Sequence, residues 1–218
     1  YFRQQVPRGE LTSEEMDSIL SSANDAKAFA DRLEELSTEK RKHGRTKAHN
    51  FLDRFVGMTD EIPENNVQKV VTGIFIIGDE VIQKDHQKNP FDSGNRRLVM
   101  QSLFNLLQRI QEKTGRMEAL KEAFERGNSV YLPTYFLGIT LQEHGKLGGT
   151  ERSEENRLLE QDHIDDLKEI AIEKVEEAAE EGELLEVYKL RVPLGRWDDW
   201  TDSDKPAEWA KQVTKDDK

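Results

Sequence analysis

The stretch EHGKLGG at 143–149 places a lysine behind a glycine, with two more glycines just after it, a composition found in loops that hold phosphate groups. A Walker A loop has four residues between its first glycine and the Gly-Lys pair, and a Ser or Thr after the lysine contacts magnesium. Here six residues separate Gly138 from Gly145, and Leu147 follows Lys146. The spacing and the missing hydroxyl argue against a nucleotide site.

The residues before this stretch predict a different role for it. Val130 to Glu143 is apolar nearly all round, which is typical of a buried helix. We therefore interpret Gly145 as the residue that ends this helix, with Lys146 near the negative end of the helix dipole. Polar loops at rigid helix ends also bind ligands, so His144 and Lys146 remain candidates for contact with an anion or a partner.

A second candidate is the basic segment EKRKHGRTK at 39–47. No aromatic residue is interleaved with its cations, so the favoured interpretation is a solvated turn whose charges suit the end of the preceding helix. The alternative is a contact with phosphate, from nucleic acid or from a nucleotide on an adjoining domain. Its basic residues are Lys40, Arg41, Lys42, Arg45 and Lys47.

The third candidate is the set of tryptophans Trp197, Trp200 and Trp209 near the end of the chain. Trp197 and Trp200 share a face if the segment is helical, and with Trp209 they could form a docking patch for a partner. The favoured interpretation is that they pack the C-terminal segment onto the core, because large aromatic side chains dominate core burial.

Other chemistries lack a recognisable signature in this sequence. The chain contains no cysteine, so disulfides, thiolate metal sites and a thiol nucleophile are excluded. The five histidines are scattered, and neither an HExxH nor a GxSxG motif occurs. Carboxylates are so abundant that pairs of them carry no information. We assign no catalytic, cofactor-binding or metal-binding residue.

The composition is that of charged amphipathic helices. Hydrophobic residues make up 35% of the chain and charged residues another 35%, with a net charge of -12 that disfavours broad binding to nucleic acid. The longest apolar run, Val130 to Leu141, is shorter than the roughly 20 residues that span a bilayer. With no cysteine and no signal peptide, we expect a cytoplasmic location. Without an initiator methionine, we expect a piece of a longer protein.

Periodic apolar residues predict an all-α fold, a multi-helix bundle of successive antiparallel helix pairs with at most one short strand pair, at 186–192. Thr12 and Glu15 form a capping-box signature, and Pro63 opens the clearest helix. A further helix is predicted over 96–114, with Gly115 as its end. The domain prediction is a helical domain at 1–190 and a tryptophan-containing tail at 191–218 that packs on it.

Several segments together resemble the C-terminal region of bacterial KAP-family P-loop NTPases, which include phage-exclusion proteins. They are YFRQQVPRGELTSEE at the start, FLDRF at 51–55, IPENNVQKVVTGIFIIGDE at 62–80, EHGKLGG followed by NRLL, and the EEGELLE and PLGRWDDW segments near the end. The resemblance spans nearly the whole chain, in short and degenerate pieces.

This resemblance implies a non-catalytic accessory or regulatory domain that follows an ATPase and couples its nucleotide state to a protein partner, in antiphage defence. ATP and magnesium would bind the parent protein outside this chain, and the partners would be its own N-terminal ATPase domain and another protein. No membrane segment is expected in this chain. The alternative is a nucleic-acid-sensing module that uses the basic turn at 40–47.

Overall fold

Helix is the only regular structure in the part of the chain that the structure describes. The computed structural model describes residues 11–38, 47–86, 94–127, 130–145 and 150–181. Helices make up 81% of these residues, and no strand occurs among them. The prediction of an all-α, multi-helix fold is therefore confirmed. The strand predicted at 186–192 and the domain boundary predicted after residue 190 lie outside the described residues.

The helices fall into two compact units, the first with α1 to α5 and the second with α6 to α8. Between successive α-helices along the chain lie short 3-10 turns at Ser22–Asn24, Thr59–Glu61, Glu64–Asn66 and Glu154–Asn156. The α-helices are α1 (Ser13–Ser21), α2 (Ala26–Thr38), α3 (Lys47–Phe55), α4 (Val67–His86), α5 (Gly94–Gln108), α6 (Lys113–Arg126), α7 (Tyr131–Gln142) and α8 (Gln161–Glu180).

Helix α1 begins with the predicted capping box. The Thr12 hydroxyl oxygen accepts a hydrogen bond from the N–H of Glu15 at 3.0 Å, and the Glu15 carboxylate accepts one from the N–H of Thr12 at 2.9 Å. Two donors that a helix start leaves without helical partners are thereby satisfied. The prediction from these two residues is confirmed.

Aromatic side chains of α2 and α3 pack together in the core of the first unit. Phe29 of α2 lies 6.1 Å, between ring centroids, from both Phe51 and Phe55 of α3, and Phe51 stacks on Phe55 at 5.0 Å. All three are fully buried, as their helical spacing predicts. Aromatic pairs at these distances add about 0.5–1.5 kcal/mol each beyond the burial of their area.

Helices α2 and α4 approach each other closely at Gly73, in the middle of α4. A Cβ atom at this position would lie 2.7 Å from the carbonyl oxygen of Ala26 and 2.9 Å from Cδ1 of Phe29. Both distances are below van der Waals contact, so only a residue without a side chain fits between the two helices. Helix α4 also packs against α5, which places it between two neighbours in this unit.

The boundary between α5 and α6 differs from the predicted one. The sequence predicted a helix over 96–114 that ends at Gly115, but α5 ends at Gln108 and Gly115 lies in the first turn of α6. The N–H of Ile110 bonds to the carbonyl of Leu107, three residues back, so the chain tightens and leaves the helix. Because Ile110 stays half-buried beyond the helix end, the apolar period continues across the break and could not locate it.

A buried hydroxyl in α5 yields a first prediction. The Ser102 side-chain oxygen is buried and has no hydrogen-bond partner among the described residues. We expect Ser102→Ala to raise the free energy of unfolding by about 1 kcal/mol, because it removes an unsatisfied polar group and introduces a better helix former. Urea unfolding followed by circular dichroism measures the change. The exposed Ser21→Ala should shift stability by less than about 0.5 kcal/mol, and a loss of stability in Ser102→Ala would contradict the prediction.

Charged contacts at both ends of the second unit give the directions of its helices. Lys113, at the start of α6, pairs with Glu160, just before α8. Near the other ends, burial lowers the pKa of Lys174 in α8, and the carboxylates of Glu177 and then of Glu125, late in α6, oppose that shift. Helices α6 and α8 therefore run in the same direction.

Helix α7 runs opposite to α6 and α8, because the chain after its last residue lies beside the starts of both. Within this unit α7 is therefore antiparallel to α6 and to α8. Helix α8 packs directly against α7 through a stripe of apolar residues. The buried members of this stripe are Ile164, Leu167, Ala171, Val175 and Ala178.

Helix α7 is buried over most of its circumference, as its apolar composition predicts. Its buried residues are Tyr131, Leu132, Pro133, Thr134, Phe136, Leu137, Thr140 and Leu141. Four other positions, Tyr135, Gly138, Ile139 and Gln142, are only half-buried and share one face, which we name the α7 stripe. Among the described residues, no helix is both long enough and apolar enough to cross a membrane.

Candidate functional site: the charged end of the second unit

The stretch that suggested a phosphate loop begins at the end of α7. After Gln142 the N–H groups of the next three residues bond to carbonyls three residues back, at 3.0–3.2 Å, so the helix tightens before it stops. Gly145 has a φ of +73°, a left-handed conformation that a glycine adopts at low cost. Gly145 therefore marks the end of the helix, as predicted, and a helix precedes the stretch where a Walker A loop would follow a strand.

Glu143, the first residue after α7, is the buried centre of a charged cluster. Its side chain is 8% exposed, and one carboxylate oxygen lies 2.8 Å from Nη1 of Arg152. The other oxygen accepts a hydrogen bond from the N–H of Leu158 at 2.9 Å. The main-chain carbonyl of Glu143 also accepts the N–H of Arg152 at 2.8 Å. Three contacts from one residue thus hold the connection between α7 and α8.

Helix α6 contributes two cations to the same end. Nη1 of Arg116 donates to the Leu158 carbonyl at 3.2 Å, and Lys113 donates to the Glu154 carbonyl and to the Glu160 carboxylate. Burial lowers the pKa of Arg116, and the nearby Glu143 carboxylate opposes that shift. The side chains of Lys113, Arg116, Glu143 and Arg152, with the connection 150–160, form what we name the charged end.

His144, a candidate anion contact in the sequence, lies at this charged end. Its Nε2 atom is 3.0 Å from the main-chain carbonyl of Leu159. Because a carbonyl oxygen only accepts hydrogen bonds, this contact requires the proton on Nε2. The histidine therefore helps to fasten the connection before α8. Lys146, the other candidate in this stretch, lies outside the described residues.

The arrangement at the charged end is suited to holding helices together. A general base must reach the proton that it removes, whereas both oxygens of Glu143 already accept from protein donors. Sequence reasoning missed Glu143, Arg116 and Arg152 because carboxylates are too abundant in this chain to single one out. The usable signal was the position of Glu143, a charge directly after twelve mostly apolar helical residues. Within the described ranges, no three metal-ligating side chains cluster.

The basic segment is represented in the structure by Lys47 alone, at the first position of α3. Its ammonium lies 2.8 Å from a carboxylate oxygen of Glu15, the capping residue of α1, and its side chain is 16% exposed. Lys47 thus joins the starts of α1 and α3. The other cations of this segment and the tryptophans, Lys40, Arg41, Lys42, Arg45, Trp197, Trp200 and Trp209, lie outside the described residues.

The Lys47–Glu15 pair predicts a dependence of stability on pH. The hydrogen bond from Lys47, then the bond from the Thr12 backbone, lowers the pKa of Glu15 below its ordinary value. A lowered folded-state pKa contributes stability above the unfolded pKa of about 4.3, and this contribution is lost as the pH falls through the folded value. We expect Lys47→Met to lower the free energy of unfolding by about 0.5–1 kcal/mol at pH 7, since the pair is partly exposed.

The difference between the wild type and Lys47→Met should shrink as the pH falls below the unfolded-state pKa of about 4.3, and it should disappear once Glu15 is protonated in the folded protein, at a lower pH. Urea titrations at several pH values measure it. Lys27→Met is the matched control, because Lys27 pairs with Asp31 on an exposed helix face. A Lys47→Met effect that is unchanged at low pH would show that the packing of the lysine chain, and not the ion pair, contributes the stability.

Comparison with known proteins adds no relative to these findings: no family model, no curated protein and no solved structure matches this chain. The fold and the charged end therefore have to be interpreted from their own geometry.

Proposed function

We propose that this chain is a non-catalytic helical accessory module that follows a P-loop ATPase and couples its nucleotide state to a protein partner. The observation that carries this proposal is that the side chains of Glu143 and His144 form hydrogen bonds with the backbone of the connection before α8. Side chains used in this way brace helices. A rigid helical body of this kind suits the transmission of a conformational change.

The family context comes from the sequence segments that resemble KAP-family NTPases, and it extends the proposal to antiphage defence in the bacterial cytoplasm. In this view ATP and magnesium bind the parent protein upstream of Tyr1. The partners are that ATPase domain and a second protein. The acidic net charge of -12 favours a protein partner over nucleic acid.

The first test is the coding sequence immediately upstream of Tyr1. A Walker A and Walker B pair there would support the family assignment, and its absence would remove the ATPase from the proposal. The second test is biochemical: the purified chain 1–218 with Mg-ATP should release phosphate no faster than a heat-denatured sample. Turnover by this chain would overturn the non-catalytic role.

A nucleic-acid-sensing function makes the opposite prediction for the basic segment. It requires oligonucleotide binding that weakens steeply with salt and is lost on charge reversal at Lys40, Arg41, Lys42 and Arg45. Lys47 is left out of this test because its ion pair with Glu15 supports the fold. Binding with these properties at low salt would replace the proposed protein partner by nucleic acid.

A further inference from the structure

The connection between α7 and α8 has little apolar anchoring of its own. We name residues 150–159 the strap. Residues 150–156 are all exposed, and only Leu158 and Leu159, at the far end of the strap, are buried, with 2% and 0% exposure. Segments with few buried apolar contacts open at a lower free energy than the core of a protein. We therefore expect the strap to open more easily than the helices on either side of it.

Contacts within the strap tie its two halves together. The Arg157 guanidinium donates through Nε to the Arg152 carbonyl at 3.0 Å and through Nη2 to the Glu151 carboxylate at 2.6 Å. A short 3-10 turn lies between the two halves, where the N–H of Asn156 bonds to the Ser153 carbonyl at 2.9 Å. Because one side chain reaches back over five and six residues, the strap is a small body with a shape of its own.

Bonds from the ends of the helices hold this body in place, and Glu143 supplies three of them. Its main-chain carbonyl accepts from the N–H of Arg152 at 2.8 Å. Its carboxylate accepts from the N–H of Leu158 at 2.9 Å and pairs with the Arg152 guanidinium at 2.8 Å. One residue therefore fastens both halves of the strap. Three further side chains donate to main-chain carbonyls of the strap, Arg116 to Leu158, His144 to Leu159 and Lys113 to Glu154.

Independently of the function proposed above, we propose that the strap opens and closes as one unit while α6, α7 and α8 stay folded, with Glu143 as the latch that keeps it closed. Opening withdraws Leu158 and Leu159 from the core and exposes the apolar surface that they cover. The chain then has two states that differ in exposed apolar area. A protein partner that binds the open state more tightly shifts the equilibrium towards it.

Hydrogen exchange at single amides tests the proposal, because the strap contains two kinds of bonded N–H group. Those of Arg152 and Leu158 bond to Glu143, whereas those of Asn156 and Arg157 bond to carbonyls within the strap. If the strap opens as one unit, all four amides exchange through the same opening. We expect their protection factors in the wild type to agree within about fivefold and to lie at least about a hundredfold below those of the buried α7 amides. A wider spread among the four would overturn the proposal.

The critical variant is Glu143→Gln, which keeps the size of the side chain but removes the charge that pairs with Arg152. It destabilises the closed strap, so we expect Arg152 and Leu158 to exchange about tenfold faster. Asn156 and Arg157 should speed up by the same factor, although their own bonds lie within the strap. Unchanged exchange at these two amides would overturn the proposal. Asp166→Asn, which removes one charge from an exposed position of α8, should leave all four amides within about twofold of the wild type.

A measurement on the wild type keeps the test decisive if Glu143→Gln fails to fold. Exchange is repeated at low concentrations of urea, because the slope of the opening free energy against urea reports how much surface the opening exposes. The four strap amides should share one slope, smaller than that of Phe136 and Leu137, which are buried in α7. A slope equal to that of α7 would show that the strap opens only with the helices, and four different slopes would show separate local openings. Either result would overturn the proposal.

Discussion

Gly73→Ala should destabilise the protein by about 2 kcal/mol, although alanine is the better helix former. The added Cβ would lie 2.7 Å from the carbonyl oxygen of Ala26, and a backbone atom cannot rotate away as the end of a side chain can. Overpacking of this kind typically destabilises by about 1–3 kcal/mol. Contact with a backbone atom puts this site at the upper end of that range, so after the gain of about 1 kcal/mol in helix propensity the net loss is about 2 kcal/mol.

Urea unfolding of wild type, Gly73→Ala and Gly57→Ala measures this effect. Gly57 is the matched control, because a Cβ there meets only the Arg54 carbonyl at an ordinary 3.6 Å. Gly57→Ala should be neutral or stabilising by up to about 1 kcal/mol through its effect on the unfolded chain. Equal stability of Gly73→Ala and Gly57→Ala would contradict the close approach of α2 to α4 at Gly73.

Glu143→Ala should lower the free energy of unfolding by about 2–3 kcal/mol. The change leaves the Leu158 N–H without its acceptor and leaves Arg116, a partly buried cation, without its nearby carboxylate. Breaking a fully buried pair typically destabilises by about 3–5 kcal/mol. The smaller value applies here because the Arg152 side chain is 54% exposed and regains water.

Two further variants make the Glu143 prediction specific. Glu143→Gln should lose about half as much stability, because its amide oxygen can still accept from Leu158. Glu151→Gln, which alters the pair between Arg157 and a carboxylate whose side chain is 68% exposed, should change stability by less than about 0.5 kcal/mol. Hydrogen exchange should show faster exchange at Arg152 and Leu158 in Glu143→Ala. Equal stability of Glu143→Ala and Glu151→Gln would show that the contacts of Glu143 at the charged end contribute nothing to the free energy of unfolding.

Local signals in the sequence predicted the helices well. Thr12 and Glu15 located the start of α1, and the left-handed glycine at 145 located the end of α7, because each depends on backbone geometry that only a few residue types support. The burial of Phe29, Phe51 and Phe55 followed from apolar spacing alone. Such features depend on residues within a turn or two of each other.

Features that depend on contacts between distant residues were not predictable in the same way. Gly73 is one of 14 glycines in the chain, and its tight contact exists only once α2 lies against α4. Glu143 is one of many carboxylates, and only the folded connection 150–160 brings Leu158 and Arg152 to it. Ile110 shows that a local pattern can also mislead. It stays half-buried beyond the end of α5, so the apolar period continues where the helix has already ended.

The separation of contacts along the chain at the charged end has a consequence for the order of folding. Glu143 and Leu158 are 15 residues apart, whereas Arg116 and Leu158 are 42 apart and Lys113 and Glu160 are 47 apart. Closing a longer loop loses more chain entropy before any contact forms. We therefore expect the contact between Glu143 and Leu158 to form in the transition state for folding, and the contacts of Arg116 and Lys113 to form afterwards. Glu143→Gln should then slow refolding, while Lys113→Met should mainly speed unfolding.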